Sequence, residues 1–132
     1  MAWSYFIDLP QRLVFTQITG VVTPADIQAE REAVKADPNF DPSFNHLVDA
    51  FDSKPAPDFP TEKIRELGSS TIFNKNVRRA IVVSGDLAFG LARMFATYRE
   101  IHGEANLQVF RSREAALNWL GVTQPIPPKK GT

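Results

Sequence analysis

The run Arg79-Ala80-Ile81-Val82-Val83-Ser84 narrows the choice of fold more than any other part of the chain. Its apolar residues are consecutive rather than alternating, so a strand made from them buries both faces and needs a covering layer on either side of its sheet. Gly85 and Asp86 lead straight into residues 87–102, where Leu87, Leu91, Met94, Phe95, Tyr98 and Ile101 recur at helical spacing opposite a polar row of Arg93, Thr97 and Glu100. A covered strand followed at once by a long amphipathic helix is half of a βα crossover unit.

The other segments extend that pattern. Residues 3–9 and 13–19 read as an antiparallel hairpin around Pro10-Gln11-Arg12, and Gly20 stops the second strand. Val22-Thr23-Pro24-Ala25-Asp26-Ile27 reads as a helix start. Thr23 is the N-cap, Pro24 the first helical residue, Asp26 the third, and Val22 with Ile27 an apolar staple. That helix is predicted to end near Ala36, before Asp37-Pro38, with Ile27, Ala33 and Val34 inward and Arg31, Glu32 and Lys35 in solvent. Residues 46–51 read as a strand, and residues 61–67 as a short helix capped by Thr61 and closed by Gly68. Residues 106–110 read as a strand, and Ser112 caps a last helix that Gly121 ends. The Pro- and Asp-rich stretch 52–60 reads as irregular and residues 69–77 are ambiguous. The order β, β, α, β, α, β, α, β, α predicts one α/β domain over residues 1–121: a mixed sheet of about five strands, an N-terminal hairpin then parallel βα units, covered by about four helices. Residues 122–132 read as a flexible tail.

Composition removes several classes of function. With no cysteine among 132 residues, disulfides, thiolate metal sites and Cys nucleophiles are excluded, and a reducing compartment fits. Fifteen basic and fifteen acidic residues balance, which argues against a nucleic-acid binder held by phosphate neutralisation. The balance is uneven along the chain, with 11 acids and 6 bases over residues 1–66 and 4 acids and 9 bases over residues 67–132. No apolar stretch is long enough to span a membrane and the N-terminus lacks a signal-peptide layout, so a cytoplasmic protein is expected. His46 and His102 have no i, i+4 or Cys partner, and Gly85 and Gly90 form no dinucleotide fingerprint; no metal, cofactor or catalytic residue is expected, and the chain reads as a non-enzyme.

The segment 79–95, then Val109-Phe110-Arg111 and Ala115-Ala116-Leu117-Asn118-Trp119-Leu120, resembles the small bacterial STAS-like proteins, relatives of the anti-sigma-factor antagonists. That resemblance implies the same element order over residues 3–121, a regulatory role through protein partners, and fold kinship with CRAL-TRIO-like domains, which suggests an apolar ligand. It also implies a phosphorylatable Ser after the third strand, in an Asp-Ser-Ser/Thr-Gly context. Here that place reads Asp52-Ser53-Lys54-Pro55, in which Asp-Ser matches and Lys-Pro replaces the rest.

Open parallel sheets place sites beyond the carboxyl ends of their strands. The candidates there are Asp49, Asp52 and Ser53, then Ser84 and Asp86, then Arg111 and Ser112, although capping and turn formation explain several of them equally well. Phe40, Phe44, Phe51, Phe59 and Phe73 crowd into the stretch of least regular structure, either anchoring those loops or forming an apolar surface or pocket. Lys75, Arg78 and Arg79 beside them suit an acidic neighbour or an anionic ligand. Two roles follow. One is a self-associating, dimeric regulatory or interaction module working through the 40–73 loops. The other is a carrier or sensor holding an apolar or anionic small molecule between those loops and the 87–102 helix; for either role Phe59, Phe73 and Arg79 join the strand-end residues as candidate contacts.

Overall fold

The structure is a computed structural model and describes residues 2–128. Strands β1 (Trp3–Asp8) and β2 (Leu13–Ile18) form the predicted hairpin, with Phe6 opposite Phe15 and Ile7 opposite Val14. β3 (Gly20–Val22) leads into α1 (Pro24–Ala36), whose start is the capping box expected from the sequence. The Thr23 hydroxyl accepts from the Asp26 N–H at 3.2 Å, and the Asp26 carboxylate accepts from the Thr23 N–H at 2.9 Å. β4 (Asn45–Asp49), β5 (Ser53–Pro55), α2 (Thr61–Gly68), β6 (Arg79–Val82), α3 (Asp86–Ile101), β7 (Leu107–Phe110) and α4 (Arg113–Leu120) complete the chain.

Five strands form one sheet in the order β1-β2-β4-β6-β7, antiparallel only at the hairpin and parallel elsewhere. The strands that carry Leu47 and Ile81 are thus interior, as their apolar composition requires. One face of the sheet is dry and apolar: Leu13, Phe15, Leu47, Ala80 and Val82 pack against Ala116 and Leu120 of α4. The other face lies under α1, α2 and α3, where Ile18, Val48, Ile81 and Val83 meet Ile27, Ala88 and Ala92.

Several local expectations change. The stretch expected to be irregular after β4 contains β5, which pairs in parallel with β3 and continues the β2–β4 pairing past a break. This is possible because Gly20 N–H donates to Asp52 O at 3.1 Å and Ala56 N–H donates to Val22 O at 2.8 Å, so Pro55 is needed only as an acceptor. The N-cap of α2 is Pro60 rather than Thr61, with no side-chain hydrogen bond, and the N-cap of α3 is Gly85 rather than Asp86. Gly68 does not follow α2 but is its last residue, and Tyr98 of α3 packs so closely there that a Cβ at Gly68 would stand 2.7 Å from Tyr98 Cβ. Ser112 caps α4 as expected, and Gly121 ends it. Thr123 N–H donates to the Gln11 side chain at 3.0 Å and Ile126 N–H to Asp8 Oδ2 at 3.2 Å, so the expected tail is hydrogen-bonded to the hairpin turn as far as Ile126. Residues 129–132 lie outside the described residues.

Two substitutions test this packing by thermal melts. Thr23→Ala removes half of the capping box and is expected to cost about 1 kcal/mol. Gly68→Ala is expected to destabilise although alanine is the better helix former by about 1 kcal/mol, because its methyl group has no space against Tyr98. A Gly68→Ala protein that melts higher than the parent contradicts the close α2–α3 contact.

Candidate functional site

Between the sheet and helices α1–α3 lies a pocket of about 150 Å³. Its walls are mostly aliphatic and aromatic, with Ile18 and Val48 from the sheet, Ile64 from α2, and Leu91 and Phe95 from α3. Its polar end is built from Thr16 on β2, His46 on β4, Arg79 on β6 and Glu30 on α1. His46 and Arg79 are register partners on adjacent parallel strands, which sets their side chains next to each other on the helix-covered face.

Behind Arg79 sits a buried ion cluster. Glu104, 1% exposed, accepts from Arg79 Nη1 at 3.1 and 3.2 Å and from Arg99 Nε at 3.0 Å. Arg99 is 2% exposed and donates to Gly68 O at 2.9 Å, while Arg31 Nη2 donates to Leu67 O at 2.8 Å. Two guanidiniums from α1 and α3 thereby satisfy carbonyls at the end of α2 that the helix itself leaves without donors. Glu104 reaches its place because Gly103, at φ 95°, turns the chain back under α3 in a conformation that disfavours other residues. Phe73 stacks on His46 at 4.6 Å and has the Arg79 guanidinium 4.8 Å from its ring.

Hydrogen bonding fixes the roles at the polar end. Thr16 Oγ1 lies 2.8 Å from Glu30 Oε1 and 3.0 Å from His46 Nε2; with Glu30 ionised the hydroxyl proton goes to Glu30, His46 Nε2–H donates to Thr16 and Nδ1 carries the lone pair. Burial, with Arg79 and Arg31 nearby, pushes the His46 pKa well below its ordinary value and keeps the ring neutral. Burial raises the Glu30 carboxyl, partly offset by the Thr16 hydrogen bond and by Arg79 and Arg31. Two buried nitrogens have no partner among the described residues: His46 Nδ1 and Arg79 Nε.

The candidates named from the sequence fall in two places. Phe59, Phe73, Arg79 and Ser53 line the pocket. Arg79 is buried at the start of its strand, with Glu104 as its acidic neighbour. The remaining candidates stay at the strand ends, joined in pairs. Asp49 and Asp52 are held by Arg113, whose Nε and Nη2 reach them at 2.8 and 2.9 Å while its guanidinium covers Phe51 at 4.7 Å. Hydrogen bonds to both carboxylates, Asp49 first, raise the Arg113 pKa. Asp86 pairs with Arg111 at 3.0 Å, Ser53 donates to Ala50 O at 2.7 Å, and Ser84 donates to Phe51 O at 2.7 Å. These contacts tie α3 and α4 to the sheet, and their groups are already paired. Among the described residues no three His, Asp or Glu side chains gather as metal ligands, and no helix is long and apolar enough to cross a membrane.

Sequence reasoning missed Glu30, His46, Arg99, Glu104 and Arg113. Arg31, expected in solvent, is half-buried against α2 because its guanidinium caps Leu67 O. One signal was available. Arg79 precedes an interior apolar run, and Glu104 stands just before the next strand, so both fall at the same end of adjacent parallel strands.

Glu104→Gln leaves two buried guanidiniums without their anion and is expected to destabilise by roughly 3–5 kcal/mol in urea unfolding; a loss below about 1 kcal/mol contradicts the cluster. His46 gives a pH signature. Its folded pKa lies below the ordinary 6.5, so beneath that pH the unfolded chain binds a proton that the folded chain refuses, and stability falls as pH falls. Relative to His46→Asn, the wild type is expected to lose stability between pH 6.5 and 5 with a slope approaching about 1.4 kcal/mol per pH unit. The opposite contribution of Glu30 is common to both proteins. Equal slopes contradict a buried neutral His46.

No protein-family profile matches the chain, and no curated protein matches it either. Among solved structures it is similar to an uncharacterized protein of the DUF3478 family from Shewanella loihica PV-4, described as having a SpoIIAA-like fold. The two share 17% identity over 90% of this chain and 94% of that one, with a TM-score of 0.57. The fold of this chain is therefore SpoIIAA-like, which is the STAS-like architecture that its C-terminal half resembles; the likeness shows no CRAL-TRIO kinship.

Proposed function

We propose that this STAS-like domain is a small-molecule carrier or sensor whose ligand occupies the pocket between the sheet and α1–α3. The observation that carries this reading is the space itself, about 150 Å³ walled mainly by aliphatic and aromatic side chains with one polar end at Thr16, Glu30, His46 and Arg79. A volume of about 150 Å³ matches cavities that take up benzene, which points to an occupant of about six to ten non-hydrogen atoms. The Thr16 hydroxyl lies 3.0 Å from His46 Nε2, but it is 1% exposed and hydrogen-bonded to Glu30, so it acts as part of the pocket wall and the work asked of these residues is binding.

The alternative, a self-associating interaction surface on the 40–73 loops, draws less support. Phe44 and Phe73 are buried within the chain, Phe40 packs edge-on to Phe73 at 5.4 Å, Phe51 lies under Arg113, and Phe59 lines the pocket. The aromatic residues that suggested a docking patch are used in holding the loops and walling the pocket.

Thermal shift with six- to eight-carbon probes, namely toluene, hexan-1-ol and hexanoate, tests the reading. At least one is expected to raise the wild-type Tm in a concentration-dependent way, since binding to the folded state alone adds about 2.7 kcal/mol at a hundredfold excess over Kd. Ala92→Leu, which adds bulk to the α3 wall of the pocket, is expected to abolish the shift while the protein stays folded. No shift with any probe, or an unchanged one in Ala92→Leu, overturns it.

A further inference from the structure

We propose that this chain forms a two-fold dimer in which β7 pairs antiparallel with β7 of a second copy and the two α3 helices pack side by side over the joint. This surface is separate from both the pocket and the 40–73 loops.

The edge of the sheet is open at β7. It is the last strand in the order and pairs only with β6 among the described residues. Arg79 N–H donates to Asn106 O and Val83 N–H to Phe110 O, each at 2.9 Å, which turns the backbone groups of Gln108 and Phe110 toward β6. Those of Leu107 and Val109 therefore point outward, and among the described residues no backbone hydrogen bond from a turn or loop reaches them. Natural sheets guard such an edge with charge, proline or a covering segment. Residues 105–110, Ala-Asn-Leu-Gln-Val-Phe, contain neither charge nor proline. The opposite edge is treated differently: β1 ends in Asp8, which holds Ile126 N–H of the C-terminal segment at 3.2 Å.

The helix beside this edge points to a second copy as the occupant. α3 runs antiparallel to β7, since Asp86 at its start pairs with Arg111 just past the strand and Arg99 near its end reaches Glu104 just before it. Between helix and strand is a groove of about 230 Å³, lined on the helix side by Arg93, Ala96, Thr97 and Glu100. Their spacing puts these four on one stripe of α3. Arg93 and Glu100 stand about 10 Å apart along the helix axis, and neither has an ion-pair partner among the described residues. A two-fold axis passing between Ala96 and Thr97 sets Arg93 of each copy against Glu100 of the other. The stripe is thus complementary to itself, as a two-fold interface requires.

The dimensions agree. Ala88 and Ala92 of α3 share one apolar cluster with Ile81 of β6 and Val109 of β7, so the helix lies over both strands. Strands are spaced about 4.8 Å apart, which places such a helix about 5 Å from the new joint and about 10 Å from its symmetry mate. That is an ordinary distance between packed helices, and the small Ala96 and Thr97 sit where the two approach most closely. On the strand, an axis beside Leu107 pairs Leu107 with its own copy and Val109 with Ala105, and the outward backbone groups then form about six hydrogen bonds. The five-stranded sheet becomes continuous across the dimer.

Sedimentation equilibrium of the full chain over about a hundredfold range of concentration tests the proposal. The wild type is expected to pass from monomer to dimer. Arg93→Glu and Glu100→Arg each turn two attractive pairs into repulsive ones and are each expected to weaken the dimer by about tenfold or more. An equal mixture of the two variants is expected to dimerise again, one copy of each, because every contact is once more between unlike charges. Both side chains are exposed and neither lines the pocket, so circular dichroism is expected to show both variants folded. Hydrogen exchange reads the strand itself. The amides of Leu107 and Val109 are expected to slow as concentration rises, whereas those of Gln108 and Phe110, already bonded to β6, are slow in the monomer. A wild type that stays monomeric at every concentration overturns the proposal and leaves the edge to a strand of another protein. A dimer that ignores the charge reversals, or that forms without slowing Leu107 and Val109, has its interface elsewhere and overturns it as well. These results leave the pocket reading untouched, since the thermal shifts decide that one.

Discussion

The Glu104 carboxylate, fully buried between two guanidiniums, is the interaction on which the helix-covered side of this molecule depends. It joins β6 through Arg79 to α3 through Arg99, and Arg99 in turn holds the last turn of α2. Such a cluster is no efficient source of stability, since well-packed apolar residues of the same volume often do better. Its consequence is geometric: it fixes the height of α2 and α3 over the sheet and keeps the space beneath them from closing. The pocket lies on the face that buries these ions, whereas the opposite face buries hydrocarbon apart from Asp49, which Arg113 holds at its edge.

That contrast between the faces organises the fold. Under α4, Leu13, Phe15, Leu47, Ala80 and Val82 form an ordinary apolar layer with Leu120. On the other side, the same strands present Thr16, His46 and Arg79 in the positions that alternate with them. Side chains of period two make this possible: one strand carries a dry core on one face and a polar site on the other without any change of backbone. The paired groups at the strand ends, Asp49 and Asp52 with Arg113 and Asp86 with Arg111, clasp helices to that framework.

The architecture was legible because each of its elements has a local cause. Thr23, Pro24 and Asp26 specify where α1 starts, Ser112 and Gly121 bound α4, and the unbroken apolar run after Arg79 requires an interior strand. The ribbon of β3 and β5 was not legible, since two of its six residues are Gly20 and Pro55 and its pairing depends on strands already being in register. The site was legible only in part. Phe59, Phe73 and Arg79 stood out by composition and position. Glu30 and Arg99 did not, because a charged residue on an amphipathic helix reads as solvated unless the partner is known, and their partners lie on β2 and beyond α3. Buried polar networks are set by long-range contacts, and periodicity carries no record of them.

The content of the pocket is the most direct test of this account. A crystal structure of natively purified protein, or of protein soaked with hexanoate, is expected to show one small molecule in the pocket against Ile18, Val48 and Leu91, with Glu104 still between its two arginines. A pocket closed by collapse of α2 and α3, or one that holds only ordered water even in the soaked crystal, would contradict it.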